Sequence, residues 1–254
     1  MTGRKIDDII LLKKFAYWGG SQMRLTTIQI SAFGYFRDIQ PEQNNLVNLM
    51  NSLPGFIPGT TLHLNINAAS GKVENLQRIV MNNNENGWRI EVQLDRINAV
   101  CTAGTNTNAL CDRDKLVADG IDYLKKCIDS ISFRKLFTRL AINAQYVKPT
   151  GKVTPTVPFG CTMPKYITNI DEVCEWNLTF NRKGQLTINS VEITNEILAC
   201  SLGNSITDPS EHAMLITVDI NTSQNSLAER FSFNDMGIFS KYALKRWDEM
   251  MSSL

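Results

Sequence analysis

The 254-residue sequence contains few of the residues from which metal sites and nucleophilic active sites are built. It has two histidines, His63 and His212, and six cysteines with no CxxC pair among them. Zinc sites ordinarily combine such residues at short, regular spacings, and no HxxxH or CxxC spacing occurs here. A GxSxG segment, a P-loop and a GxGxxG fingerprint are missing as well. The sequence therefore indicates no catalytic residue, no cofactor and no bound metal.

An excess of charge of one sign is also missing. Lys and Arg total 26 and Asp and Glu total 25, which gives a formal net charge of +1. Such a balance provides no overall attraction for nucleic acid, for an anionic membrane or for an acidic ligand. Binding to nucleic acid would then depend on local basic clusters. The clearest of these is "RKLFTR" at residues 134–139, which begins with Arg134 and ends with Arg139.

Long hydrophobic runs are absent too. The apolar cluster at residues 9–12 is four residues long and is flanked by charged residues, whereas a membrane span needs about 20 apolar residues. We expect residues 1–20 to form a short helical segment that ends at a Gly-Gly pair, and we expect no membrane partner. Cysteines without a disulfide framework are typical of a reducing compartment, so the expected location is the cytoplasm.

Strict alternation of apolar and polar residues is the strongest pattern present. In "GWRIEVQLDRINAV", at residues 87–100, every second residue from Trp88 to Leu94 is apolar, which predicts a strand with one buried side. The polar residues on the other side of this strand are Arg89, Glu91, Gln93 and Asp95. We expect them to lie on a solvent-accessible sheet face, because charged and amide side chains usually occupy the exposed side of a half-buried strand.

Similar patterns predict several more strands and three helices. The further strands are "TTIQIS", "TLHLNIN", "KVENLQRIVM", "RLAINAQY", "CEWNLTF", "LTINSVEI" and "MLITVDIN". We predict "NRKGQ", at residues 181–185, as a hairpin turn and the slip in alternation between Ile188 and Val191 as a β-bulge. Apolar residues at helical spacing predict a short helix between Pro41 and Pro54 and long helices at 114–131 and 234–251. Asn234 or Asp235 is the expected cap of the last helix.

The remaining segment, residues 148–172, contains four prolines and is predicted as a long loop. The two halves of the chain share their order of patterns. "VQLD" at 92–95 and "ITVD" at 216–219 each end a predicted strand, and a polar loop and an amphipathic helix follow each of them. We therefore predict an α+β fold with antiparallel sheet built from two repeated units of several strands followed by a helix. The expected organisation is an N-terminal helical segment (1–20) and two strand-helix units (21–132 and 133–254) in one compact fold.

Three segments carry a resemblance to known proteins. They are the strand that ends in "LDRI", the later "TRLAINAQYV", and the closing "LITVDIN" with the amphipathic helix after it. Through these features residues 24–254 resemble a sporadically distributed family of uncharacterised bacterial proteins of about this length. The chain of that family resembles a doubled version of the four-strand-plus-helix core of the export chaperone SecB. The resemblance implies a SecB-like fold, and this sequence departs from the family in its extra N-terminal segment.

Two classes of function stay open on this basis, and so does the question whether the protein is an enzyme. The first class is a non-enzymatic protein-binding or chaperone-like component of a bacterial assembly, such as a toxin-antitoxin or antiviral (phage) defence system. The second is a nucleic-acid-binding effector or a metal-dependent nuclease with a site assembled from scattered strand carboxylates. A protein partner is expected, and homo-oligomers are compatible with either class. The residues expected at an interaction surface are Arg89, Glu91, Asp95, Arg134 and Arg139.

Overall fold

The structure, a computed structural model, describes residues 23–66, 73–103, 110, 112–131, 135–151, 176–204 and 211–254. The helical segment predicted at residues 1–20 lies outside these ranges, as do Arg134 and residues 152–172 of the predicted loop. None of the described helices has the length and apolar composition needed to cross a bilayer.

Nine described strands form one antiparallel sheet. They are β1 (Arg24–Phe33), β2 (Ile57–Ile66), β3 (Val73–Asn83), β4 (Trp88–Val92), β5 (Arg96–Thr102), β6 (Arg139–Gly151), β7 (Asn177–Thr187), β8 (Val191–Asn204) and β9 (His212–Thr222). Their order across the sheet is β2-β3-β4-β5-β1-β6-β9-β8-β7, and every pairing between them is antiparallel. Together with the helices this confirms the predicted α+β class and its antiparallel sheet.

Two long helices cover one face of the sheet. The described helices are α1 (Gln43–Ser52), α2 (Arg113–Ile131) and α3 (Phe233–Met251). Helix α2 contacts β1, β4 and β5, whereas α3 contacts β6 and β9. The strand residues beneath them are apolar, and Ile30, Ile142 and Ile220 form one row at 0% to 2% exposure. We call this side the helix-covered face; each fully buried side chain of this kind stabilises the fold by about 1.5–3 kcal/mol.

Strands β1 and β6 join the two halves of the chain at the centre of the sheet. Strand β1 pairs with β5 on one side and with β6 on the other, and β6 pairs in turn with β9. In each half, therefore, the first strand lies beside the strand that leads into the long helix. The halves share this feature of topology, while the predicted duplication itself stays a prediction.

The hairpin turn predicted at "NRKGQ" is wrong. These residues lie inside β7, whose ladder with β8 runs without interruption from Asn177↔Ser201 to Thr187↔Val191. The turn falls instead at residues 188–190, where the Ile188 amide donates to the Ser190 carbonyl at 3.1 Å. The slip in alternation is therefore the turn and not a bulge. Gly184 imitates a turn residue in the sequence, but in the structure its missing Cβ makes room for side chains from β8 and α3.

The strand predicted at residues 88–94 ends at Val92, two residues early. The Gln93 amide donates to the Arg96 carbonyl at 2.8 Å, which closes a tight turn and puts Asp95 in that turn rather than in the strand. The next strand, β5, was not predicted. Its residues 97–101 are all buried, so it lacks the alternation that identifies strands with one wet side.

Two other boundaries differ from the predictions. Strand β6 continues to Gly151, so residues 148–151 of the predicted loop are strand. Helix α3 is capped by Ser232 and not by Asn234 or Asp235. The Ser232 hydroxyl accepts from the Asp235 amide, and the Asp235 carboxylate accepts from the Ser232 amide at 2.7 Å, which forms a capping box.

Substitution of Gly120 tests how closely α2 packs against the sheet. A Cβ at this position would lie 2.5 Å from Ile30 Cδ1 and 2.9 Å from the Trp88 ring. We expect Gly120→Ala to lower the free energy of unfolding by about 1–3 kcal/mol through overpacking. The matched control is Gly237→Ala in α3, where no atom lies within 4 Å of the added Cβ; it should raise stability by about 0.5–1 kcal/mol. Equal effects of the two changes in urea unfolding would contradict the packing described.

Candidate functional site

The sheet face opposite the helices carries a row of polar side chains. We call it the polar face and define it by the register partners Glu91, Asn98, Ser31, Ala141, Asn221, Asn195 and Lys183, which follow one another across seven strands from β4 to β7. Helices α2 and α3 both contact the sheet from its other side, so no described helix packs on this row. Apart from Ala141, every member has a side chain that donates or accepts hydrogen bonds.

In the first half of the chain this row is a continuous hydrogen-bonded network. The Ser31 hydroxyl donates to Asn98 Oδ1 at 2.8 Å, and Asn98 Nδ2 donates to Glu91 Oε2 at 3.2 Å. Gln93 Nε2 donates to the same Glu91 oxygen at 3.1 Å, while Arg89 pairs with Glu91 Oε1 at 2.7 Å. Ser31 and Asn98 are only 2% and 3% exposed, so their polar groups have to be satisfied within the protein. The network therefore fixes the Glu91 carboxylate in one position.

The second half of the chain continues the row. Asn195 Nδ2 donates to Asn221 Oδ1 at 2.9 Å, and Asn221 Nδ2 donates to Asp219 Oδ1 at 3.2 Å. Lys183 on β7 donates to Asn195. Burial raises the pKa of Asp219, whereas the hydrogen bond from Asn221 and the positive charge of Arg139 act against that rise in its pKa. Amides supply most of this half of the network, and no sequence motif marks them.

The residues expected at an interaction surface are placed as follows. Arg89 and Glu91 form the ion pair just described, with 51% and 19% of their side chains exposed. Asp95 lies in the turn after β4, is 65% exposed and has its carboxylate 3.6 Å from Arg96 Nε. Arg139 lies on the polar face beside Phe33, in the next row along the strands. Arg134 lies outside the described residues, so only four of the five positions are located.

A second polar cluster, on the helix-covered face, was not predicted. The Glu196 side chain on β8 is fully buried, and one of its oxygens accepts from the Tyr242 hydroxyl of α3. Its other oxygen accepts from Arg246 Nε at 3.0 Å and from Arg246 Nη2 at 2.8 Å. Thr194 extends the cluster with a 2.9 Å hydrogen bond to Tyr242. The sequence around Glu196 does not reveal that it points inward, because the apolar Val191 and Ile193 lie on the opposite, exposed side of β8. The fold supplies the cations and the hydroxyl that make this buried carboxylate tolerable.

An open groove of about 450 Å³ lies beside this cluster, between β7 and the end of α3. Its lining residues are Phe180, Arg182, Glu196, Leu198, Arg246, Glu249, Met250 and Ser253. Both Glu196 and Glu249 are bound to Arg246. The groove therefore holds carboxylates that are already paired, and the cluster serves to attach α3 to the outer strands of the sheet.

The chemistry of metal and thiol sites is sparse in the described parts of the chain. Across those ranges, no three His, Cys, Asp or Glu side chains are grouped so that they could hold a metal ion. Burial raises the pKa of the Cys101 and Cys200 thiols to about 11 and that of Cys127 to about 12, which suppresses their reactivity. Of the two histidines, His212 is the first residue of β9, while the side chain of His63 lies outside the described residues.

Comparison of the chain with family models, curated proteins and solved structures finds no match. The resemblance to a doubled SecB core therefore stays a prediction. The polar face, the groove and the charges on them are the features of the structure that bear on function.

Glu196 tests the role of the cluster under α3. We expect Glu196→Ala to lower the free energy of unfolding by about 3–5 kcal/mol, because it leaves the Arg246 cation without its buried partner. The matched control is Glu249→Ala, which removes the other partner of Arg246; the Glu249 side chain is 45% exposed, so this change should cost about 0–1 kcal/mol. If the two variants lost similar free energy of unfolding in urea, the buried ion pair of Glu196 would not be what attaches α3 to the sheet.

Titration of Asp219 should make the stability of the protein depend on pH. Its pKa is raised in the folded protein, so the folded state holds the proton more tightly than the unfolded chain does. Wild-type stability should therefore fall relative to Asp219→Asn as pH rises from the ordinary Asp pKa, about 3.9, through the raised folded value. Below that window both side chains are uncharged, so the difference in stability between the two proteins should no longer change with pH. A pH-independent difference in stability between wild type and Asp219→Asn would contradict the assignment.

Proposed function

We propose that the protein is a non-enzymatic, chaperone-like component of a bacterial assembly that acts by binding another protein, and that the polar face is its docking surface. A toxin-antitoxin or phage-defence assembly is the setting that we favour. The single observation that carries the proposal is the hydrogen-bonded row of polar side chains on the face that no described helix covers. Groups that are fixed before association lose less conformational entropy on binding, so such a row is suited to recognition.

The sheet edges are less suited to this role than the face. Among the described strands, β2 and β7 each have a neighbour on one side only. Strand β7 carries the exposed Arg182 and Lys183, and β2 carries Pro58. Charged residues and proline on edge strands oppose pairing with a further chain. We therefore assign partner binding to the face of the sheet and not to its edges.

The proposal includes the internal duplication and the SecB-like character of the two units. Its support is the strand order, since each half places its first strand beside the strand that precedes its long helix. Antiparallel pairing of β1 with β6 then combines two small faces into a single broad one. A broad face suits the proposed role, because a stable protein-protein interface needs about 800 Å² on each partner.

The nuclease alternative receives no support from the carboxylates. Glu91 is paired with Arg89 on the polar face, while Glu192 is paired with Arg230 on the other face of the sheet, with both oxygens 3.2 Å from Nε. A two-metal site requires several carboxylates with free oxygens a few ångströms apart. Glu91 and Asp219 lie on the polar face and Glu192 lies on the helix-covered face, so these strand carboxylates do not converge.

Affinity purification from the native host, with protein and nucleic acid both identified in the eluate, tests the proposal. Variants Arg89→Glu and Lys183→Glu change two separate positions of the polar face, and Lys241→Glu changes an exposed position on α3 as the matched control. We expect one stoichiometric protein partner with the wild type and the control. We expect at least about tenfold less of it with the polar-face variants, equivalent to about 1.4 kcal/mol. Equal recovery from all four proteins would contradict docking on the polar face. Recovery of nucleic acid alone, with metal-dependent cleavage that is lost in Glu91→Ala, would replace the proposal with the nuclease.

A further inference from the structure

Two arginines flank one phenylalanine on the polar face. Phe33, near the end of the central strand β1, has Arg96 of β5 as its register partner on one side and Arg139 of β6 on the other. The guanidinium carbon of Arg96 lies 5.3 Å from the centroid of the Phe33 ring, and that of Arg139 lies 4.4 Å from it. Both distances are within the range of a cation-π interaction. Cross-strand pairing therefore holds two positive charges against a single ring.

The hydrogen-bond donors of these arginines are largely unused. Among the described residues, none accepts a hydrogen bond from Arg139 or forms an ion pair with it, and its Nε is buried without a partner. Arg96 uses only its Nε, which donates to Gln93 Oε1 at 3.1 Å and lies 3.6 Å from the Asp95 carboxylate. The terminal Nη nitrogens of both side chains thus have no hydrogen-bond acceptor within the described ranges.

Two other arginines of the same chain, one buried and one partly buried, have acceptors for their donors. Arg78, at 2% exposure, donates to the carbonyls of Phe36, Arg37, Val92 and Gln93. Arg230 pairs with Glu192 and also donates to several carbonyls. Against these two, the buried Nε of Arg139 is an exception, because a buried donor without an acceptor costs free energy. Burial and the like charge of Arg96 both lower the pKa of Arg139, while Asp219 and Asp95 act in the opposite direction.

We propose that Arg96 and Arg139 form a binding site for a phosphate monoester on the polar face. Guanidinium groups match the oxygens of phosphate in geometry, and contact with the Phe33 ring restricts both side chains before the ligand arrives. A dianion matches two neighbouring cations better than a singly charged carboxylate or phosphodiester does. The site goes beyond the proposed function, because it requires no protein partner.

Thermal unfolding of the full chain in inorganic phosphate, with chloride at matched ionic strength as reference, tests this site. At mildly alkaline pH, where phosphate is a dianion, the unfolding temperature should rise with phosphate concentration and then saturate. Arg139→Gln should abolish the rise, and Arg139→Lys should keep only a small part of it, since lysine supplies a point charge without the planar fork. Lys241→Gln, which removes an exposed positive charge on α3, is the matched control and should respond as the wild type does.

A second readout separates loss of binding from loss of folding. Arg139→Gln removes a partly buried charge without acceptors, so in chloride it should unfold at a temperature equal to or above that of the wild type. The proposal is overturned if phosphate raises the unfolding temperature equally in wild type and Arg139→Gln, if it raises neither, or if acetate acts as strongly as phosphate. Tighter binding of a fluorescent single-stranded oligonucleotide than of phosphate, again dependent on Arg139, would overturn the monoester and assign the site to a nucleic acid backbone.

Discussion

The antiparallel pairing of β1 with β6 is the interaction on which the rest of the structure depends. Its register runs from Phe33↔Arg139 to Arg24↔Val147, with one irregularity near Leu25. Because strand side chains alternate, this register aligns both faces of the two halves at once. It continues the apolar row under the helices, and on the other side it sets Ser31 beside Ala141 and Phe33 beside Arg139. A slip of one residue would place each of these side chains on the wrong face.

Buried polar groups obtain their partners in different ways on the two faces of the sheet. On the helix-covered face, α3 brings Arg246 and Tyr242 to the buried carboxylate of Glu196, so that its charge and hydrogen bonds are matched. On the polar face, amides and hydroxyls of neighbouring strands satisfy one another, as Ser31 and Asn98 do. In the stack around Phe33 that matching is incomplete. Among the described residues the buried donors without an acceptor are Arg139 Nε and the indole nitrogens of Trp176 and Trp247, and of these only Arg139 carries a charge that a ligand could match.

The sequence predicted the parts of the fold that depend on local periodicity. Strand β4 and the long helices α2 and α3 each have one solvent-exposed side and one buried side, so their apolar and polar residues recur with a clear period. Strand β5 was missed because tertiary packing buries both of its faces, and the β7–β8 turn was misplaced because Gly184 imitates a turn residue. Of the site, Arg89 and Glu91 were found from alternation. Ser31, Asn98 and Asn221 were not, because their roles arise from register between distant strands, which no local pattern encodes.

If the polar face is continuous, the two halves of the sheet should unfold together as one cooperative unit. Amide hydrogen exchange, resolved to individual strands by mass spectrometry, tests this most directly. The amides of β1 and β6 should be the most protected of the sheet and should exchange only through global unfolding, with the same free energy in both halves. Exchange of β1 and β6 ahead of the outer strands, or two distinct free energies for residues 24–131 and 139–251, would show two separate units and would contradict a continuous face.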